Sequence, residues 1–224
     1  MNVSIHQSQY LPWAPYFKKI ASSDVFVVMD DVQYQKNGVQ NRNKIAGRDT
    51  DFWLTLPVSS EFGEKISEKN IVGDKWKKKH LSSLKQCYSK CPGWPEHQEF
   101  FEQLYSSSIT SLNEINLSFI RYFLRYYEIE VSLVLMSGLE CKGEKSDLVL
   151  DICRQTGATN YISGFGSKDY LVESDFNRSG IDILYLEAIP PTYERFKGDK
   201  LAGLSVVDFM FNADKTAVVD YLLG

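Results

Sequence analysis

His6 is the residue in this chain best placed for acid–base chemistry, because an imidazole can give or take a proton near neutral pH. It heads a dense polar and aromatic run, His6-Gln7-Ser8-Gln9-Tyr10. Asp30 and Asp31 are adjacent carboxylates that could orient an imidazole or hold a metal ion. Tyr34, Lys36 and the run Gln40-Asn41-Arg42-Asn43 combine a ring, two cations and three amides. A guanidinium forks onto anionic oxygens, and amides both donate and accept, so this set suits a phosphate or a sugar. Ser163-Gly164-Phe165-Gly166-Ser167, with Tyr170 close behind, offers close backbone approach and free N–H groups for an anion. It matches neither of the usual phosphate-loop fingerprints. On this reading His6 is the acid or base, with Asp30 or Asp31 as its orienting partner. Gln9, Asn41 and Asn43 read sugar hydroxyls, Lys36 and Arg42 neutralise phosphate, and Tyr10 and Tyr34 stack on a base or sugar ring. The bland alternatives are a satisfied core histidine and a solvated, turn-rich loop.

The elements that position these residues alternate between strand and helix. Met1 to Ile5 reads as a short buried strand, and Val25-Phe-Val-Val-Met29 as a strand covered on both faces. Between them Trp13, Tyr16, Phe17 and Ile20 recur at helical spacing, with Pro12 at the helix start. Both polar loops, His6 to Tyr10 and Asp30 to Lys36, therefore follow strand ends. In open α/β sheets that edge is where ligands bind. A turn at Gly47 to Thr50 precedes the strand Phe52 to Val58, which Pro57 stops. Asp74 can cap a helix that runs to about Lys90. Cys91-Pro-Gly-Trp-Pro95 breaks the chain, and a helical pattern with a serine break at Ser106 to Ser108 continues to Tyr127. Strand and helix alternate again from Ile129: strands at Ile129–Leu135, Ala158–Ile162 and Ile181–Leu186, a helix from Lys145, and a terminal helix capped by Ser205. Asp208 lies among apolar residues and needs a partner if buried. The fold class is α/β: a Rossmann-like, mostly parallel sheet with flanking helices, formed as one domain over residues 1–224 with residues 74–127 as an inserted helical block.

With 224 residues and a formal charge of −4, the chain can bury a sizeable core and carries no global basic field for nucleic acid. No apolar run approaches the ~20 residues of a membrane span, and no signal peptide is legible, so a cytoplasmic location follows by default. Cys87, Cys91, Cys141 and Cys153 match no usual zinc spacing and are expected as reduced side chains. Cys87 and Cys91 could share a helix face with His80, and small half-buried side chains are the commoner reading of that pattern. Composition and motif name no cofactor.

Laid out in this order, the residues resemble the WbqC-like protein family. The resemblance rests on Ile5-His-Gln-Ser-Gln-Tyr-Leu-Pro-Trp13 with Tyr16-Phe17, on Asp24-Val-Phe-Val with Asp30-Asp-Val-Gln-Tyr34, and on Gln40-Asn-Arg-Asn43. Trp53-Leu-Thr-Leu-Pro-Val58, Tyr161-Ile-Ser-Gly164 with Tyr170, and Leu204-Ser-Val-Val-Asp208 extend it almost end to end. Ser8 stands where the family usually has Pro, which loosens the turn, and Glu194 where it usually has Gln, which bears on any role of that glutamine. The resemblance implies a part in making O-antigen or another surface polysaccharide. The expected reaction is acyl or aminoacyl transfer to an amine or hydroxyl of a nucleotide-linked sugar. The expected partner is that small molecule, with neither nucleic acid nor a membrane span involved and a homo-oligomer left open. The opening strand, polar loop, helix and strand also look like the start of nucleotidyltransferase-type and pantothenate-synthetase-type folds. Those carry two histidines near the first helix, and here only His6 is present. The alternatives are therefore a nucleotidyltransferase or ATP-dependent ligase, or a non-catalytic sugar-nucleotide binding module.

Overall fold

The computed structural model describes residues 1–47, 50–196 and 203–224. Residues 48 and 49, the middle of the expected Gly47–Thr50 turn, lie outside that range. The central sheet holds β1 (Asn2–His6), β2 (Val25–Val28), β5 (Ser132–Leu135), β6 (Asn160–Gly164) and β7 (Asp182–Leu186) in the order β5-β2-β1-β6-β7. Every pairing in it is parallel. From β1 the chain steps outward to β2 and β5, then returns to the other side of β1 for β6 and β7. The order therefore reverses between β1 and β6, the place where open α/β sheets bind ligands at their carboxyl edge.

Alternation along the strands explains the two layers. Val3 and Ile5 of β1 and Val27 of β2 bury against Val149, Ile152 and Cys153 of α5 (Lys145–Gln155) and Phe176 of α6 (Glu173–Arg178). Phe26 and Val28 of β2 bury on the opposite face against α1 (Ala14–Ala21) and α4 (Leu112–Tyr126). Phe17 of α1 stacks on Phe123 of α4 with ring centroids 3.8 Å apart. Helix α4 is the crossover between β2 and β5. α2 (Lys75–Tyr88), α3 (Trp94–Ser106), α7 (Val206–Asn212) and α8 (Lys215–Leu223) extend the same face, and their apolar side chains share one cluster with α1 and α4.

Three local expectations are corrected. Helix α1 begins at Ala14 with Pro15 in its first turn, and Pro12 precedes it. The Pro12 carbonyl accepts from the N–H of Val206 at 2.8 Å, which docks the start of α7 on this loop. Asp74 has helical backbone angles and makes no capping bond; it pairs with Lys77 at 2.7 Å instead. The run from Arg42 is not loop but β3 (Arg42–Ala46), paired antiparallel with β4 (Asp51–Thr55) in a separate two-stranded sheet. Ser205 does cap α7, accepting from the Val207 N–H. No helix among the described residues is long and apolar enough to cross a membrane.

Candidate functional site

A cavity of about 680 Å³ opens over the carboxyl ends of β1 and β6. Two features of the sheet make it. The ladder between β1 and β2 runs to His6↔Val28, whereas that between β1 and β6 stops at Ser4↔Ile162. The strands thus part where the order reverses. Leu11, fully buried at φ 44°, turns the chain sharply between the His6–Tyr10 run and α1, a left-handed backbone that bulky residues rarely adopt.

His6 and Gln7 of the β1 end line the cavity, with Tyr16 and Lys19 of α1. Alternation puts His6 on the α1 side of the sheet, where its ring meets that of Tyr16 edge-on at 5.2 Å. Nδ1 lies 3.2 Å from the Gln7 carbonyl and 3.4 Å from Gln9 Nε2. The shorter contact assigns the proton to Nδ1, which leaves the Nε2 lone pair for a ligand. Burial, and after it the nearby Lys19 charge, pull the His6 pKa from 6.5 to about 4, so the ring is neutral at pH 7. Gln7 is itself fixed: its carbonyl accepts from Tyr16 Oη at 3.2 Å, and its Oε1 accepts from Gln40 Nε2 at 2.6 Å.

Lys19 is the residue that sequence reasoning missed. Side chains on a helix lean toward its N-terminus, and α1 runs antiparallel to the strands, so Lys19 reaches up to the carboxyl edge. Carbonyls alternate along β1. That of His6 goes to β2, accepting from the Met29 N–H, so that of Ile5 faces β6 beyond the last paired residue. Lys19 Nζ takes this carbonyl at 2.8 Å and sits in the gap between the strands. Burial lowers its pKa from 10.5 to about 8. The signal in the sequence was faint: Lys19 falls three residues after Tyr16, on the edge of the apolar stripe.

The opposite wall comes from Tyr161 of β6 and the turn that follows it. Ser163, Gly164, Gly166 and Ser167 line the cavity, together with Tyr170. The Ser163 and Ser167 hydroxyls bond each other at 2.6 Å, which fixes the turn. Lys145 and Leu148, at the start of α5, close the third side. Neither was expected there.

The remaining candidate residues stand elsewhere, for physical reasons visible in their contacts. Asp30 does not orient His6. Its carboxylate accepts from the Ser137 N–H at 2.9 Å, Ser137 Oγ at 2.8 Å and Asn113 Nδ2 at 3.3 Å, tying the β2 end to β5 and α4. Asp31 pairs with Lys65 at 2.7 Å. Tyr10 is buried in the helical layer, its hydroxyl 2.8 Å from His80 Nδ1 and 2.7 Å from Tyr105 Oη, so its ring has no free face for a ligand. His80 is thus committed to Tyr10 rather than to Cys87 and Cys91. Asn41 and Asn43 donate to the carbonyls of Leu56 and Leu11 at 2.8 and 2.7 Å and brace loops. Arg42 lies over the Trp53 ring at 4.3 Å on the small sheet. Tyr34 lies under Lys69 Nζ, and Lys36 is exposed in a turn. Of the early polar run, His6 and Gln7 line the cavity, and Gln40 holds Gln7 from behind.

Comparison with known proteins gives two matches. The family model described as the WbqC-like protein family covers residues 7–220. A protein of Mycobacterium tuberculosis (strain ATCC 25618 / H37Rv), "Uncharacterized protein Rv1507c", is 31% identical over 224 residues, 98% of this chain and 96% of the relative. No solved structure matches the chain significantly.

Proposed function

Because the chain belongs to the WbqC-like protein family, we propose that it is an enzyme of surface-polysaccharide (O-antigen) assembly that modifies a nucleotide-linked sugar in the cavity between β1 and β6. The reaction is acyl or aminoacyl transfer to a sugar amine or hydroxyl. The acceptor nitrogen or oxygen bonds to the acyl carbon, the bond from that carbon to its carrier breaks, and the carrier leaves with the electron pair. His6 Nε2 takes the proton that the acceptor loses. The observation that carries this reading is the position of His6: a neutral imidazole at the strand-order reversal, facing a cavity of the size that small-molecule sites have, ~300–1,000 Å³. Tyr170, at the cavity wall, supplies an exposed ring for a sugar or base.

One observation favours a second reading, a non-catalytic sugar-nucleotide binding module. An imidazole whose pKa is about 4 is a weak base at neutral pH. Nucleotidyl transfer by the two-histidine route has less support, since no second histidine joins His6 at the cavity. Thermal-shift screening against nucleotide-linked sugars, with and without Mg²⁺ and ATP, finds the ligand, because one that binds only the folded state raises the melting temperature. The enzyme reading expects the His6→Ala variant to keep its melting temperature and ligand affinity while turnover falls by ~100-fold or more. Equal turnover in parent and variant sinks it. Binding without turnover in the parent moves the protein to the second reading.

A further inference from the structure

Lys19 and Lys145 face the cavity with no acid opposite them. Neither Asp nor Glu is among the described residues that line it, although the chain carries a formal charge of −4. Lys19 is 8% exposed and enters no ion pair among the described residues; its ammonium donates one hydrogen bond, to the Ile5 carbonyl. An ammonium has three donors; the Lys19 Nζ also lies over the Tyr161 ring, 6.0 Å from its centroid, and no second oxygen among the described residues accepts from it. Burying a charge without a partner is costly. Lys145 is placed at a second kind of cost. It is the first residue of α5, where the helix dipole presents its positive end and disfavours cations. Its φ of 51° is a left-handed backbone seldom adopted by a residue with a side chain. An anion in the cavity offsets the buried Lys19 charge, with the exposed Lys145 side chain at the cavity rim.

We infer that these two lysines hold the diphosphate of the ligand, Lys19 at the gap between β1 and β6 and Lys145 at the N-terminus of α5, while the exposed ring of Tyr170 meets the uncharged remainder. The inference rests on the reading of the cavity as the site of a nucleotide-linked sugar, and it fixes which end of that ligand lies where. Two cations without an intervening acid match a doubly charged group better than a single carboxylate. Gly164 and Gly166 leave room for it, since a Cβ at either position would stand in open space.

Calorimetric titration with inorganic pyrophosphate, and with UDP, CDP, GDP and dTDP each beside its parent nucleoside, tests this. The Lys19→Met variant fills the stem's volume without the charge and is expected to melt no lower than the parent. Its Kd for pyrophosphate and for the preferred nucleoside diphosphate should rise at least tenfold, with nucleoside binding unchanged. Lys145→Gln should weaken the same ligands several-fold. Parent affinity should also fall between pH 7 and 9, as Lys19 loses its proton near 8, and this fall should vanish in Lys19→Met. Of the groups packed around Lys19, His6 on β1 is neutral above about 4, burial pushes Cys153 on α5 up to about 12, and it raises Tyr16 on α1 and Tyr161 on β6 still further. Undiminished pyrophosphate binding in Lys19→Met, or no binding of any probe to the parent, overturns the inference. Sugar nucleotides that bind parent and Lys19→Met equally leave the proposed function standing without it. Pyrophosphate binding that needs Lys19, with no sugar nucleotide bound or turned over, does the reverse.

Discussion

Asp208, at the residue scale, is a carboxylate buried among apolar neighbours and satisfied by residues distant in sequence. It is fully buried, and its carboxylate accepts from Tyr88 Oη at 2.9 Å, Tyr193 Oη at 2.7 Å and Arg195 Nε at 3.0 Å. Those partners come from α2 and from the extended segment before α7, so one side chain ties three parts of the chain together. The apolar neighbours of Asp208 in sequence already required a partner for it; which partner was a matter of distant residues. Breaking a buried, hydrogen-bonded ion pair costs about 3–5 kcal/mol. Asp208→Ala should therefore lower the urea midpoint by that much stability, with the slope of the transition unchanged. A loss under about 1 kcal/mol would show that the network is solvated in solution. Lys19 is the opposite case: it reads as one more helix-surface lysine until β1 and β6 are seen to part beside it.

At the scale of elements, α3 packs its rings on Phe211 of α7, and the backbone approach at its start requires an absent side chain. The Gly93 N–H donates to the Phe211 carbonyl at 3.0 Å, and a Cβ on Gly93 would stand 2.4 Å from the Met210 carbonyl oxygen. Backbone faces it, so nothing flexible can yield. Gly93→Ala should cost about 1–3 kcal/mol, as overpacking does, read as a fall in melting temperature. An unchanged melting temperature would mean that α7 is not pinned there. The small β3–β4 sheet teaches the complementary point. Its amides and Arg42 looked like a ligand loop because polar residues in strands and in loops read alike when the pairing partner is unknown. Once β3 pairs with β4, Asn41 and Asn43 are brace points, and Gln40 alone of that run reaches the site, through Gln7.

The histidines of the whole molecule set how it meets acid. His6, His80 and His97 are each held neutral, with pKa values drawn from 6.5 to about 4, chiefly by burial. The unfolded chain takes up a proton at each as the pH drops below 6.5, and the folded chain does so only near 4. Protons therefore favour unfolding in that window. Stability should be full above about pH 6.5 and lost progressively toward 4, by up to about 1.4 kcal/mol per pH unit for each histidine. Urea unfolding at pH 7, 6 and 5 measures this. A flat response between 7 and 5 would show that the histidines are solvated.

Local pattern determined much of this protein from the sequence alone. Short apolar or partly alternating runs gave the strands of the sheet, helical spacing gave α1 to α5, the serine break separated α3 from α4, and the order of motifs pointed to the family. Those features depend on neighbours within a few residues, which is why they are legible. The position of His6 at a strand end was legible for the same reason. Only the tertiary structure decided the rest. Strand order, and with it the reversal between β1 and β6, is a relation between segments more than a hundred residues apart. The cavity at that reversal is lined by His6, Lys19 and Lys145 together, while Asp30, Asp31 and Tyr10 bond to partners elsewhere in the fold. A polar side chain is chemically the same whether it braces a loop or faces a cavity, and only what packs against it tells the two apart.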